Sequence, residues 1–197
     1  MRKLIVDEWM SIDGVVQGPS SPDEDSSGGF VHGGWHVPYF DERSMEWTHA
    51  NVASAGGYVL GRRTYEIFAA YWPNAGEEEQ ALAEPLNTRP KYVASRTLEE
   101  PLEWQNSSVL RGDVAEAVTA LKAEDGADLH LFGSTELVQT LLEHDLVDEL
   151  RLMIDPVVVG GGKRLFHDVG TPNKLRLVES EATRTGAILT TYARADG

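Results

Sequence analysis

Tyr58-Val59-Leu60-Gly61-Arg62-Arg63-Thr64-Tyr65-Glu66-Ile67-Phe68 is the stretch on which the fold turns. Tyr58-Val59-Leu60 is apolar and reads as a short buried strand. Gly61 breaks that pattern, and Thr64 onward reads as the first turn of a helix. A chain that passes from strand to helix on a glycine gathers free backbone N–H groups at one spot. The helix dipole and those unpaired donors together suit a phosphate. Arg62 and Arg63 bring two permanent positive charges to the same corner. The plain alternative is an ordinary turn with two solvated arginines.

Outward from this stretch the pattern recurs. Lys91-Tyr92-Val93-Ala94 is a strand that ends in Ser95-Arg96-Thr97. Leu129-His130-Leu131-Phe132 is a strand that turns on Gly133-Ser134-Thr135 into a helix carrying Leu137, Val138, Leu141 and Leu142. In a mostly parallel sheet these three ends share one edge, where α/β proteins bind ligands. Two helix N-termini and a serine–arginine loop could hold a phosphorylated dinucleotide there. The G-x-G-x-x-G spacing is absent, so such a site is not of the Rossmann type.

The rest of the chain frames that edge. Leu4-Ile5-Val6 is a continuous apolar run, expected of a strand covered on both faces, and Ser11-Ile12-Asp13-Gly14 ends it. Residues 19–34 are polar and glycine-rich and read as an irregular loop that is mobile or covers a site. Phe30, Trp35, Tyr39 and Phe40 follow, either as a lid over a planar ligand or as packing for the loop. A helix is expected from Asp41 to Ala55, and an exposed acidic one from Glu77 to Leu86. Asp113 and Glu116 fit the two acceptor positions of a capping box. Residues 150–154 alternate as a half-buried strand, which Pro156-Val157-Val158-Val159 continues. Leu175-Arg176-Leu177-Val178 and Ile188-Leu189-Thr190-Thr191-Tyr192 read as a closing antiparallel pair turned near Gly186. The expected fold is α/β, a mixed and mostly parallel sheet with flanking helices and a C-terminal antiparallel hairpin. It forms one domain over residues 1–197.

Composition narrows the function. A chain of 197 residues with 41% hydrophobic content can build a sizeable core. There is no cysteine, which excludes disulfides, thiolate nucleophiles and cysteine zinc sites. The net charge of −15 argues against nucleic acid and anionic membranes as partners. No apolar run approaches a membrane span and the N-terminus has no signal-peptide core, so the expected location is the cytoplasm. His32 and His36 have no partner carboxylate or cysteine in sequence to complete a metal site, and Gly160-Gly161-Gly162-Lys163-Arg164 lacks the Walker spacing.

Leu60-Gly61-Arg62-Arg63-Thr64-Tyr65-Glu66, Pro90-Lys91-Tyr92-Val93-Ala94-Ser95-Arg96-Thr97-Leu98 and Phe132-Gly133-Ser134 resemble the dihydrofolate reductase-like family. More closely, with Ser11-Ile12-Asp13-Gly14 and residues 156–166, they resemble the branch related to the C-terminal reductase domain of riboflavin biosynthesis proteins. The resemblance runs from about residue 2 to residue 193. It implies an NADPH-dependent reductase acting on a small heterocyclic or carbonyl substrate, of pterin or aminopyrimidine type. It places Gly61, Arg62, Arg63 and Thr64 at the pyrophosphate, and Ser95 and Arg96 at the adenosine 2′-phosphate. It places Gly133, Ser134 and Thr135 at the middle of the cofactor, with Arg111 as a further phosphate contact. It also implies a homodimer. Folate reductases of the family carry paired glycines where this chain has Gly133-Ser134, and an acid on the first helix. Counting back from Gly61 puts that acid near Met45, beside Glu46; Asp13 is the alternative. The expected proton route is therefore Asp13 or Glu46. The competing reading is a nucleotide-binding or interaction module without catalysis.

Overall fold

Leu4, Ile5 and Val6 open the central strand because nothing in them needs water, and all three are at most 1% exposed. In the computed structural model, which describes residues 1–166 and 172–195, this strand is β1, Leu4–Ser11. The others are β2 (Gly57–Gly61), β3 (Lys91–Ala94), β4 (Ser107–Leu110), β5 (Leu129–Phe132), β6 (Glu149–Asp155), β7 (Leu175–Ala182) and β8 (Ile188–Arg194). They form one eight-stranded sheet in the order β4-β3-β2-β5-β1-β6-β8-β7. The six from β4 to β6 run parallel, and β8 and β7 close the sheet antiparallel, turned at Gly186 with φ +88°. The α/β fold with its C-terminal hairpin is as expected from the sequence.

The helices are α1 (Glu42–Ser54), α2 (Arg62–Tyr71), α3 (Gln80–Thr88), α4 (Val114–Ala123) and α5 (Thr135–Glu143). Asp41 starts α1 as a capping box with Ser44, satisfying two orphan N–H groups at once. One face of the sheet takes α4 and α5: Val118, Leu121, Val138 and Leu141 pack on Leu4, Val6, Val59 and Leu131. The opposite face takes α1 and α3, with Val52 and Leu86 on Tyr58, Leu60 and Val93. Each of these aliphatic side chains contributes about 1.5–3 kcal/mol by leaving water, so both faces hold the strands in register. No helix among the described residues is long and apolar enough to cross a membrane.

Three local expectations change. β6 is covered on both faces, because Leu150 and Leu152 join the α4–α5 side while Met153 packs with Leu189 and Trp47 on the other. The strand ends at Asp155, and Val157 leaves it to accept the Ile12 N–H at 2.9 Å. The acidic segment 77–79 is an exposed 3-10 turn, but α3 behind it buries Ala83, Pro85 and Leu86. Lys91, wholly buried, holds the end of α3 through Nζ, which donates to Leu86 O at 2.8 Å and Arg89 O at 3.0 Å. Its ammonium also sits 4.3 Å from the Trp104 ring centroid.

Candidate active site

The late strand β5 inserts between β1 and β2, so the turns at Gly61 and Gly133 become neighbours. They interlock. Gly61 N–H donates to Ser134 Oγ at 2.8 Å, and Thr64 Oγ1 lies 2.8 Å from the same oxygen. A Cβ on Gly133 would lie 2.7 Å from Thr64 Oγ1, and Gly133 and Ser134 both hold left-handed backbone at φ +60° and +66°. Neither α2 nor α5 has a side-chain cap, because Gly61 offers none and the Ser134 hydroxyl is engaged between the turns. By contrast α4 is capped, with Glu116 N–H donating to Asp113 at 3.0 Å. Two helix N-termini therefore present free N–H groups at one edge, where an anion is favoured.

That edge opens on a cavity of about 990 Å³, lined by Gly61 to Thr64, Ala94 to Thr97 and Gly133 to Glu136. This is the upper end of the range for small-molecule and cofactor sites. Successive side chains of β1 enter it on opposite faces. Asp7 and Trp9 face the α1 side, where Trp47, Thr48 and Asn51 also line the cavity. Glu8 faces the other side, toward the Gly133 turn. Burial pushes the Glu8 carboxyl well above the usual range, and the neighbouring Asp7 pushes it further. Glu8 Oε1, Asp7 Oδ1 and Asn51 Nδ2 are buried without hydrogen-bond partners among the described residues. Unpaired buried polar atoms are costly, and here all three belong to residues that line the cavity.

The segment after β1 folds over this opening, and the buried Gln17 side chain ties it down. Gln17 Nε2 donates to Asp25 O and Ser27 O, both at 3.0 Å, while Gln17 Oε1 accepts the Lys163 N–H at 3.0 Å. Asp25 then bridges Lys163 at 2.7 Å and Arg63 at 2.9 Å. Partial burial pushes the Asp25 carboxyl up, but the bonds from Lys163 and Ser27 outweigh it and hold it at about 2. The aromatic cluster divides. Phe30 and Trp35 pack the loop against Val15, and Tyr39 and Phe40 pack with Trp9 and Trp47.

The residues singled out in the sequence are distributed as follows. Gly61, Arg62, Arg63, Thr64, Ser95, Arg96, Gly133, Ser134 and Thr135 all line the cavity. Arg62 pairs with Glu66 at 3.0 Å, and Arg63 with Asp25. Ser95 Oγ accepts the Thr97 and Leu98 N–H groups at 3.2 and 3.0 Å, which folds the loop that exposes Arg96. Arg111 lies outside the cavity lining and donates to Leu98 O at 3.3 Å, behind that loop. Asp13 and Glu46 do not line the cavity. Asp13 accepts from the Val159 and Gly160 N–H groups at 3.0 and 2.9 Å. Partial burial pushes its carboxyl up, yet the bonds from Ser11, Val159 and Gly160 prevail and hold it at about 2. Glu46 is exposed on α1 and lies 3.5 Å from Arg43. Asp7, Glu8 and Asn51 escaped the sequence reading. The available signal was an acidic pair, Asp7-Glu8, directly after Leu4-Ile5-Val6 in a strand covered on both faces.

The sequence matches the family described as the RibD C-terminal domain over residues 2–189. It is 28% identical to YyaP of Bacillus subtilis (strain 168) over 194 residues, which span 97% of this chain and 94% of that protein. It is 33% identical to YwjB of the same organism over 121 residues, 60% of this chain and 63% of that one. A crystal structure from Shewanella sp. PV-4, whose name refers to riboflavin biosynthesis, superposes with TM-score 0.70 at 21% identity, covering 98% of this chain and 99% of that one. A pyrimidine reductase-like protein of Corynebacterium diphtheriae superposes with TM-score 0.67 at 14% identity, over 100% of this chain and 93% of that one. At these identities the two structures speak for the fold, and the family match speaks for descent. Because that match runs through all three strand-end turns, the chain belongs to the RibD C-terminal domain family.

Proposed function

We propose that the chain is an NADPH-dependent reductase of a small heterocyclic or carbonyl substrate, of pterin or aminopyrimidine type, acting in the cytoplasm as one domain. The observation that carries this reading is the pair of interlocked, uncapped helix N-termini at Gly61 and Ser134, opening on one large cavity. The donor set fits a dinucleotide. The first turns of α2 and α5 would hold the pyrophosphate with Arg62 and Arg63. Arg96, exposed and without an ion pair among the described residues, would hold the 2′-phosphate beside Ser95. When bound, the nicotinamide supplies hydride to an electron-poor carbon. The protein's part is to hold that carbon in place between Trp9, Trp47 and Asn51 on the α1 side, and to provide a proton from a cavity-lining carboxyl.

Fluorescence titration with NADPH and NADH tests the cofactor. The wild type should prefer NADPH, and Arg96→Ala should weaken NADPH by about 10- to 100-fold, the loss of charged hydrogen bonds, while NADH changes little. Equal affinity of the wild type for the two would remove the 2′-phosphate corner from the proposal. Tight NADPH binding with no oxidation across pterins, aminopyrimidines and activated carbonyls would favour a binding module.

The proposal includes a homodimer. The edge strand β7 is exposed along its whole length, and Leu177 and Val178 are 50% and 52% exposed beside Ile188 at 44%. An edge of this kind left bare invites uncontrolled pairing. Light scattering at micromolar concentration should give twice the 21.7 kDa chain mass, and Val178→Lys should shift it toward that of one chain. A wild-type mass of one chain rejects the dimer.

A further inference from the structure

Asp7 is 4% exposed and lines the cavity on the α1 side. Its Oδ2 lies 2.7 Å from His130 Nδ1, while its Oδ1 has no partner among the described residues. His130 on β5 is wholly buried. Its second ring nitrogen, Nε2, lies 3.4 Å from Ser54 Oγ, and Ser54 is an exposed residue at the end of α1. Three side chains from three elements thus join the cavity to bulk water.

A second buried histidine–aspartate pair shows that such an outlet is not needed for packing. His36 Nδ1 lies 2.7 Å from Asp155 Oδ2, and the ring stacks on Trp9 at 4.3 Å. Its Nε2 is buried and has no partner among the described residues. That pair ends blind, whereas the Asp7 pair is open at both ends. A buried pair of this kind is weak evidence of stabilisation in itself.

We infer that Asp7, His130 and Ser54 form a proton relay into the cavity, with Asp7 as the acid that protonates the substrate. This rests on the reductase reading. Hydride addition to a carbon leaves the adjacent nitrogen or oxygen short of one proton. That proton leaves Asp7 Oδ1. The Asp7–His130 pair regains one from water at His130 Nε2, through the Ser54 hydroxyl, which donates to Asn51 O at 2.9 Å and turns from it to pass a proton to the ring. As Nε2 takes up that proton, Nδ1 passes its own to Asp7 Oδ2; in sum, the substrate takes a hydride from the reduced dinucleotide and a proton from water, the dinucleotide is oxidised by two electrons, and the pair recovers its proton count. The other polar and charged groups near the pair have different assignments. Tyr58 on β2 donates its hydroxyl to Val52 O at 3.1 Å, and Glu8 points to the opposite face of β1. Asn51 on α1 accepts from Arg151 at 3.0 Å.

Nitrogen-15 NMR of the histidine rings tests the path without a substrate. The ring N–H of His130 should exchange with water faster than that of His36, and Ser54→Ala should slow it by about tenfold, one lost hydrogen bond, leaving His36 unchanged. Exchange of His130 as slow as that of His36, or unaffected by Ser54→Ala, overturns the relay. Dihydrofolate and a ribosylaminopyrimidine phosphate serve as turnover probes. With either, Asp7→Asn should lower kcat by about 100-fold or more with NADPH affinity kept, and His130→Gln should displace the pH profile. Wild-type kcat in Asp7→Asn overturns Asp7 as the acid. Loss of NADPH binding in the wild type itself would instead overturn the reductase reading, while the ring-exchange result would still decide whether the path exists.

Discussion

Gly61→Ala should lower NADPH affinity by about 10- to 100-fold while the sheet stays folded, because the added methyl pries apart the two turns proposed to hold the cofactor's phosphates. The new Cβ would lie 2.5 Å from Ser134 Oγ and 2.8 Å from Ser134 Cβ, closer than real contacts allow. Gly61 itself sits at φ −75°, so backbone strain plays no part and the clash is the whole effect. Ser134 must move, and with it go the 2.8 Å bond from Gly61 N–H and the contact to Thr64 Oγ1. Overpacking of this kind costs about 1–3 kcal/mol, or roughly 2–12 °C in melting temperature for a chain of this size. The double variant Gly61→Ala with Ser134→Gly removes the obstructing side chain. Glycine also suits the left-handed backbone at position 134, where φ is +66°. The pair should recover most of the lost stability. Calorimetry and cofactor titration on the three proteins decide it. If Gly61→Ala binds NADPH as the wild type does, the interlock has no bearing on the cofactor.

Gln17→Leu should release the loop over the cavity. The substitution keeps the volume and deletes the amide, so the carbonyls of Asp25 and Ser27 and the N–H of Lys163 lose their partners. Each unsatisfied buried group costs about 1–3 kcal/mol. Water meets that demand once the loop lifts. Cleavage by a nonspecific protease within residues 19–31 should then rise on the order of 100-fold, equivalent to about 2.7 kcal/mol of local opening. A second side-chain tie is Asp25, held to Lys163 and Arg63. Asp25→Asn combined with Gln17→Leu should therefore open the loop further than either alone. A cleavage rate in Gln17→Leu equal to that of the wild type would show that the aromatic packing of Phe30 and Trp35 suffices to hold it.

The sequence by itself determined the strand–turn–helix units at Gly61 and Gly133 and the strand end at Ser95, since glycine and the change from strand to helix periodicity are written within a few consecutive residues. It likewise determined the Asp113 cap of α4, where Glu116 supplies the N–H but not the return acceptor, and the closing hairpin at Gly186, both local hydrogen-bonding patterns. The expectation of a mostly parallel sheet then gathered the three turns onto one edge. Tertiary structure alone decided what faces what. Strand β5, 123 residues after Asp7 in the case of His130, enters between β1 and β2 and brings the Gly61 and Gly133 turns into contact. Asp13 stood beside a glycine at the end of the first strand and read as a candidate acid. Besides Ser11, two residues away, its partners turned out to be N–H groups 146 and 147 residues away, outside the cavity lining. Asp7 and Glu8 carried no motif, and their placement follows from the two-residue period of a strand whose two faces meet different compartments. Those assignments depend on contacts between segments more than a hundred residues apart, for which a single sequence holds no local signal.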